Sequence, residues 1–139
     1  MKRFISIFGV LAICLILTVI VLPAQASSAT ITLLNPPAGG VLNLRVGESY
    51  TFDIAVESDT QFIQAIALID QYFPERGVRD QGADVIVRQT SGVLHMTIKG
   101  VSSTAKLPNG ISPITLIVGV RYGGGQVVQQ AFFINVIVS

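Results

Sequence analysis

The chain has 139 residues, 50% of them hydrophobic and 12% charged, with a formal net charge of +1. That is enough for one domain and too few for two of ordinary size. Its basic residues form no stripe and no polybasic tract, which excludes a nucleic-acid surface and a basic lipid-binding patch.

The first 26 residues, "MKRFISIFGVLAICLILTVIVLPAQA", carry much of the apolar excess. Lys2 and Arg3 lead. Phe4–Leu22 is uncharged, with only Ser6 and Thr18 polar, and Pro23 breaks the run before Ala24-Gln25-Ala26. A basic start, an apolar stretch and an A-x-A site together make a secretory signal, cleaved after Ala26. Residues 4–22 are also long enough to span a bilayer, so an uncleaved anchor is the second reading. Either way Lys2 and Arg3 hold the N-terminus inside and place residues 27–139 outside the cytoplasm, secreted or anchored. The membrane is met only through this segment. Cys14 follows Ile13 inside the apolar run and reads as a hydrophobe of the signal, not a lipid site. The mature chain therefore has no disulfide, and its core alone must stabilise it. Its seven Lys and Arg against eight Asp and Glu give a net charge of −1.

Beyond the signal, Thr30–Leu34 reads as a short strand stopped by Asn35-Pro36-Pro37 and Gly39-Gly40. A turn at Val46-Gly47-Glu48 launches the clean alternation of Tyr50, Phe52, Ile54 and Val56 against Thr51, Asp53, Ala55 and Glu57, a half-buried strand. Phe62–Ile69 is a further short strand. "DQYFPERGVRDQG", Asp70 to Gly82, packs two aromatics, a proline, two glycines and five charges into thirteen residues, and reads as a polar connection between Ile69 and Asp84. "ADVIVRQT" and "GVLHMTIKG" read as two strands joined by a hairpin at Ser91-Gly92. A loop with Pro108, Asn109-Gly110 and Pro113 follows. Ile114–Val120 and the last strand, Gln126–Val138, form a second hairpin about Tyr122-Gly123-Gly124-Gly125. The last strand is apolar on both faces: buried on both sides, bulged, or part of an interface. Seven to eight short strands and no amphipathic helix predict an all-β fold, an antiparallel two-sheet sandwich over residues 27–139 behind an N-terminal signal helix over 1–26.

At "LRVGESYTFDIAVES" and "VGVRYGGGQVVQQAFFINVIVS" the chain resembles the immunoglobulin-like sandwiches of bacterial surfaces, as their first long strand and their closing hairpin. Secreted cohesin modules are a more distant likeness. The resemblance implies an extracellular binding or structural module. The chain departs from the antibody type in having no cysteine pair and no tryptophan, and Tyr122 ends its strand instead of standing at a tyrosine corner.

Catalytic sets are missing from the sequence. His95 is the only histidine, on the face opposite Leu94, Met96 and Ile98, and no G-x-S-x-G elbow occurs. One histidine and no mature cysteine argue against zinc. The acids Asp53, Glu57, Asp59, Asp70, Asp80 and Asp84 lack calcium-loop spacing. "YGGGQ" opens a strand, where a phosphate cradle would open a helix. The expectation is a non-enzymatic module without cofactor or metal. Its candidate partner-binding residues are Tyr72, Phe73, Arg76, Arg79 and Asp80, since Arg and Tyr on a loop held by a rigid scaffold favour recognition. The partner is another envelope or extracellular protein or a second copy. A glycan held by loop aromatics is the alternative. The bland reading of the same stretch is a crossover with Tyr72 or Phe73 plugging the end of the sandwich and arginines paired locally to Glu75 and Asp80.

Overall fold

Phe52, Ile54 and Val56 point inward from one half of a strand, Ala65 and Ala67 from its other half, and all five belong to one core. That strand organises the molecule. The computed structural model describes residues 26–73 and 76–139. The expected signal helix over residues 1–26 lies outside the described residues but for Ala26. Seven strands form one hydrogen-bonded sheet: β1 (Ala29–Leu33), β2 (Val41–Leu44), β3 (Ser49–Gln71), β4 (Val78–Ala83), β5 (Val85–Gly100), β6 (Ser112–Arg121) and β7 (Val127–Val138).

The sheet folds into two layers because β3 and β5 run through both. The first half of β3 pairs with β1 and with the second half of β5, whose far side carries β4. The second half of β3 pairs with β6 and with the first half of β5, and β6 continues to β7 and β2. The crossing lies between Glu57 and Phe62, where the register slips. Inward positions are even-numbered up to Phe62 and odd-numbered from Ala65, the change of phase that a bulge produces. β5 bends at the matching place, with Arg88 at φ 55.

Three expectations are corrected by this topology. Tyr50–Glu57 and Phe62–Ile69 are one strand, and Ser58–Gln61 is its bend. The hairpin expected at Ser91-Gly92 is the interior of β5, with Ser91 opposite Glu57 and Gly92 opposite Val56. Gly92 has no positive φ, and a Cβ there would stand 2.7 Å from Ile86 Cδ1, so it makes room for the curl of its own strand. The fold is also not purely antiparallel, since β2 runs parallel to β7. Pro36 and Pro37 supply no ladder donor after β1. The left-handed Gly39 and Gly40 then carry the chain to the other layer, where β2 docks on the edge of β7.

The layers are tied at both ends. At one end Thr104, fully buried, donates its N–H to the Val138 carbonyl and accepts the Val138 N–H at its Oγ1, both at 3.0 Å, while Oγ1 donates to the Gly110 carbonyl at 2.7 Å. At the other end the buried Tyr122 shares a 2.6 Å hydroxyl hydrogen bond with Ser58 at the bend of β3. The plug of this end is Tyr122. Its turn matches expectation, with the Tyr122 N–H donating to the Gln126 carbonyl and Gly125 at φ 89. Beside the bend, the Ser28 N–H donates to the Asp59 carboxylate and holds its pKa below the ordinary value.

Candidate functional site

The stretch Asp70–Gly82 divides into three parts. Asp70 and Gln71 finish β3 against Thr115 and Ile114. Tyr72, Phe73, Arg76 and Gly77 are the described residues of the loop, and Val78–Ala83 is β4, an edge strand on the second half of β5. The expected connection from Ile69 to Asp84 is corrected accordingly. β4 has a weak apolar signature because only Val78 reaches the core; the other five residues are exposed.

The loop is held firmly at Arg76 and Gly77. The Arg76 N–H donates to the Phe73 carbonyl at 3.0 Å and closes a turn. Gly77 follows at φ +90, where a Cβ would sit 2.9 Å from Thr104 Cγ2 and 3.1 Å from Ser112 Cβ, so glycine is required both by conformation and by space. The Gly77 N–H donates to Ser102 Oγ at 3.0 Å, and its carbonyl accepts from the Val101 N–H at 2.7 Å. The segment that starts at Val101 is therefore the floor on which Gly77 rests.

Tyr72 is 77% exposed and meets the half-buried Phe73 edge-on, with ring centroids 4.7 Å apart. Arg76 is exposed and lines an open hollow of about 390 Å³ with Ser102, Ser103, Lys106 and Leu107. Both charges on its wall are positive. Sequence reasoning missed Lys106 and the two serines, which stand some thirty residues away and meet Arg76 only through the Gly77 contacts. Arg79 and Asp80 belong to β4 and not to the loop. Arg79 stands opposite Lys99, and Asp80 Oδ1 accepts the Gly82 N–H at 2.6 Å, which shapes the bulge between them. The local pairing expected for Asp80 with an arginine is replaced by this backbone bond; Glu75 lies outside the described residues.

A second cluster lies on the outer face of the same layer. His95 Nδ1 is 2.6 Å from Asp84 Oδ2, and its Nε2 is 3.7 Å from Asp53 Oδ1. Asp53 is its partner across the β3–β5 ladder, and Asp84 is the corner between β4 and β5. The Asp84 N–H returns a bond to the His95 carbonyl at 3.0 Å. A general base needs one ring nitrogen open toward a nucleophile. Here both face carboxylates on an exposed strand, so the cluster ties strands together. Among the described residues no three His, Cys, Asp or Glu side chains converge as a metal site requires. Also among them, no helix is long and apolar enough to cross a membrane.

A scan against protein-family models found no match, and a search of curated proteins found none similar. Among solved structures the chain is similar to domains 4 and 5 of the S-layer protein SbsC, at 12% identity and a TM-score of 0.50. The overlap covers 81% of this chain and 53% of that one, so the chain spans about half the length of its match. It also overlaps the BIgI domain of the beta protein of S. agalactiae, solved bound to CEACAM1, at 16% identity and a TM-score of 0.40, over 82% of this chain and 99% of that one. At these identities the first likeness concerns the fold, an all-β architecture of layered strands.

Proposed function

We propose that residues 27–139 form an immunoglobulin-like, non-enzymatic module. It is exported behind the signal of residues 1–26 and acts at the cell envelope or surface by protein–protein contact. The observation that carries this reading is the loop end of the sandwich. An exposed tyrosine edge-on to a phenylalanine stands beside an Arg76–Lys106 hollow, on a backbone locked by Gly77. A tyrosine brings a large contact area with only two side-chain torsions to fix, and an arginine brings a planar five-donor fork, which is why both are enriched at interface hot spots. Arg79 and Asp80 extend this surface along the β4 edge. The positive hollow favours a partner that presents a carboxylate.

The test is a cross-linking capture from envelope extract with the full chain and with Tyr72→Ala/Arg76→Ala. A specific partner that is lost in the variant, with an unchanged thermal melt, supports the reading. Equal capture by both chains contradicts it. A glycan is the second reading, favoured by the exposed ring of Tyr72; a polysaccharide array that lights up with the wild type and not with Tyr72→Ala would select it. Mass spectrometry of the chain's N-terminus separates cleavage after Ala26 from a retained anchor over residues 4–22.

A further inference from the structure

The outer face of the layer made by β7, β6, the second half of β3 and the first half of β5 is apolar across its width. Phe133, Ala131, Ile117, Leu68, Ile66 and Val85 follow one another over the four strands, and Phe133 is 78% exposed. These positions alternate with the buried Ile134, Leu116 and Ala67, so their orientation is set by the pleat. On β3 and β6 two charges mark this face. Asp70 sits on the Thr115 rung at one end, and Arg121 on the Gln64 rung at the other. Neither has an ion-pair partner among the described residues. The rungs are six residues apart, ~20 Å along the strands.

We propose that this face pairs with the same face of a second copy of the chain, with the strands of the two copies antiparallel. Parallel stacking would set Asp70 over Asp70 and Arg121 over Arg121, a like-charge arrangement that opposes association. Antiparallel stacking about a two-fold axis running across the strands at the Ala67–Val118 rung brings Asp70 of each copy to the Arg121 rung of the other. The two then stand one strand spacing apart laterally, ~4.8 Å, within reach of an arginine side chain. The same operation sets Phe133, on the Thr115 rung, over a depression of about 180 Å³ lined by Gln64, Gly119, Arg121 and Val127. Gly119 leaves that depression open because it has no side chain. Knob and hollow are thus on one face, separated by the interval the symmetry requires, which is the self-complementarity of an isologous interface. Over the Gln64–Asp70 rungs the four strands measure roughly 19 Å by 20 Å from strand spacing and rise, about 380 Å² per copy and about 760 Å² for the pair, the scale of a weak, reversible contact.

The experiment is sedimentation equilibrium on the full chain as purified from expressing cells, with thermal melts as the fold control. The variants are Asp70→Arg, Arg121→Asp and the double exchange. The wild type is expected to dimerise, each single reversal to weaken the dimer by about 10-fold or more, and the double exchange to return it to within about 3-fold of wild type. A wild-type monomer throughout overturns the proposal. So does association indifferent to all three variants, as the apolar N-terminal segment alone would produce, and so do weakened single variants without rescue. None of these residues lies in the 72–77 loop, so this result and that of the partner capture are read independently.

Discussion

The two outer faces of the sandwich are made by the same two long strands, yet they differ in chemistry. Where the first half of β3 meets the second half of β5, the outward positions are Ser49, Thr51, Asp53, Ala55 and Glu57 against Lys99, Thr97, His95, Val93 and Ser91, polar but for the Ala55–Val93 pair. Thr51 and Thr97 share a 2.9 Å hydroxyl bond, and His95 stands between two carboxylates. Past the bend, the outward positions of β3 are Gln64, Ile66, Leu68 and Asp70, against Arg121, Gly119, Ile117 and Thr115 of β6. The inward side is the same throughout, one aliphatic and aromatic core. What changes at Ser58–Gln61 is only what the solvent side is built to meet. Polar groups that satisfy one another suit a face left in water; the apolar face is the one proposed to be covered by a second copy.

The largest effects test whether the two layers share one core. Phe52→Ala removes a fully buried ring from the polar-faced layer, and Leu116→Ala a fully buried side chain from the apolar-faced one. Losses of about 3–5 and 2–5 kcal/mol are expected in urea unfolding, each in a single transition. Two separate transitions would mean that the layers are independent. Next comes the seam between them. Thr104→Val leaves the Val138 N–H and the Gly110 carbonyl without their partner and should cost about 1–3 kcal/mol, against a small change for Thr97→Val on the half-buried outer face. The smallest effect concerns Asp59 at the bend. Its folded pKa is lowered by the Ser28 N–H, so its contribution to stability is complete above the ordinary value of 3.8 and is lost as pH falls through the lower, folded value. Asp59→Asn should therefore be less stable than wild type at neutral pH and converge with it in acid. A gap that stays constant down to strong acid would break the assignment.

The half-buried strands were legible because their period of two repeats without interruption: Tyr50–Val56, Ile114–Val120 and Phe132–Val138 stand as the alternation predicts. The glycine turn after Tyr122 was legible for the same local reason. The bends were not. Ser58–Gln61 and Gln89–Gly92 hold the residues that a tight turn uses, and a strand changing layers needs the same local freedom as a strand reversing direction. Only the pairing of both halves of β5 with β3 separates the two cases, and that is a long-range fact. β4 escaped because an edge strand needs one buried residue, Val78, to be anchored. The burial of Tyr122 at the end of its strand was not legible because it depends on Ser58, sixty-four residues away. Of the proposed loop residues, the cluster of Tyr72 and Phe73 was legible. The company Arg76 keeps with Lys106 was not, because it depends on how two loops stack. The two-sided apolarity of β7 was visible; its exposed Phe133 excludes burial on both faces and its unbroken register with β6 excludes a bulge, which leaves the interface as the proposal.

The comparison of the two faces is tested most directly by placing one charge on each and measuring association by sedimentation equilibrium. Val93 is exposed on the polar face and Phe133 on the apolar one. Phe133→Asp should leave the full chain monomeric at concentrations where wild type and Val93→Asp are dimers. Equal association of all three chains, or loss of the dimer in Val93→Asp alone, would contradict the assignment of the apolar face as the contact surface.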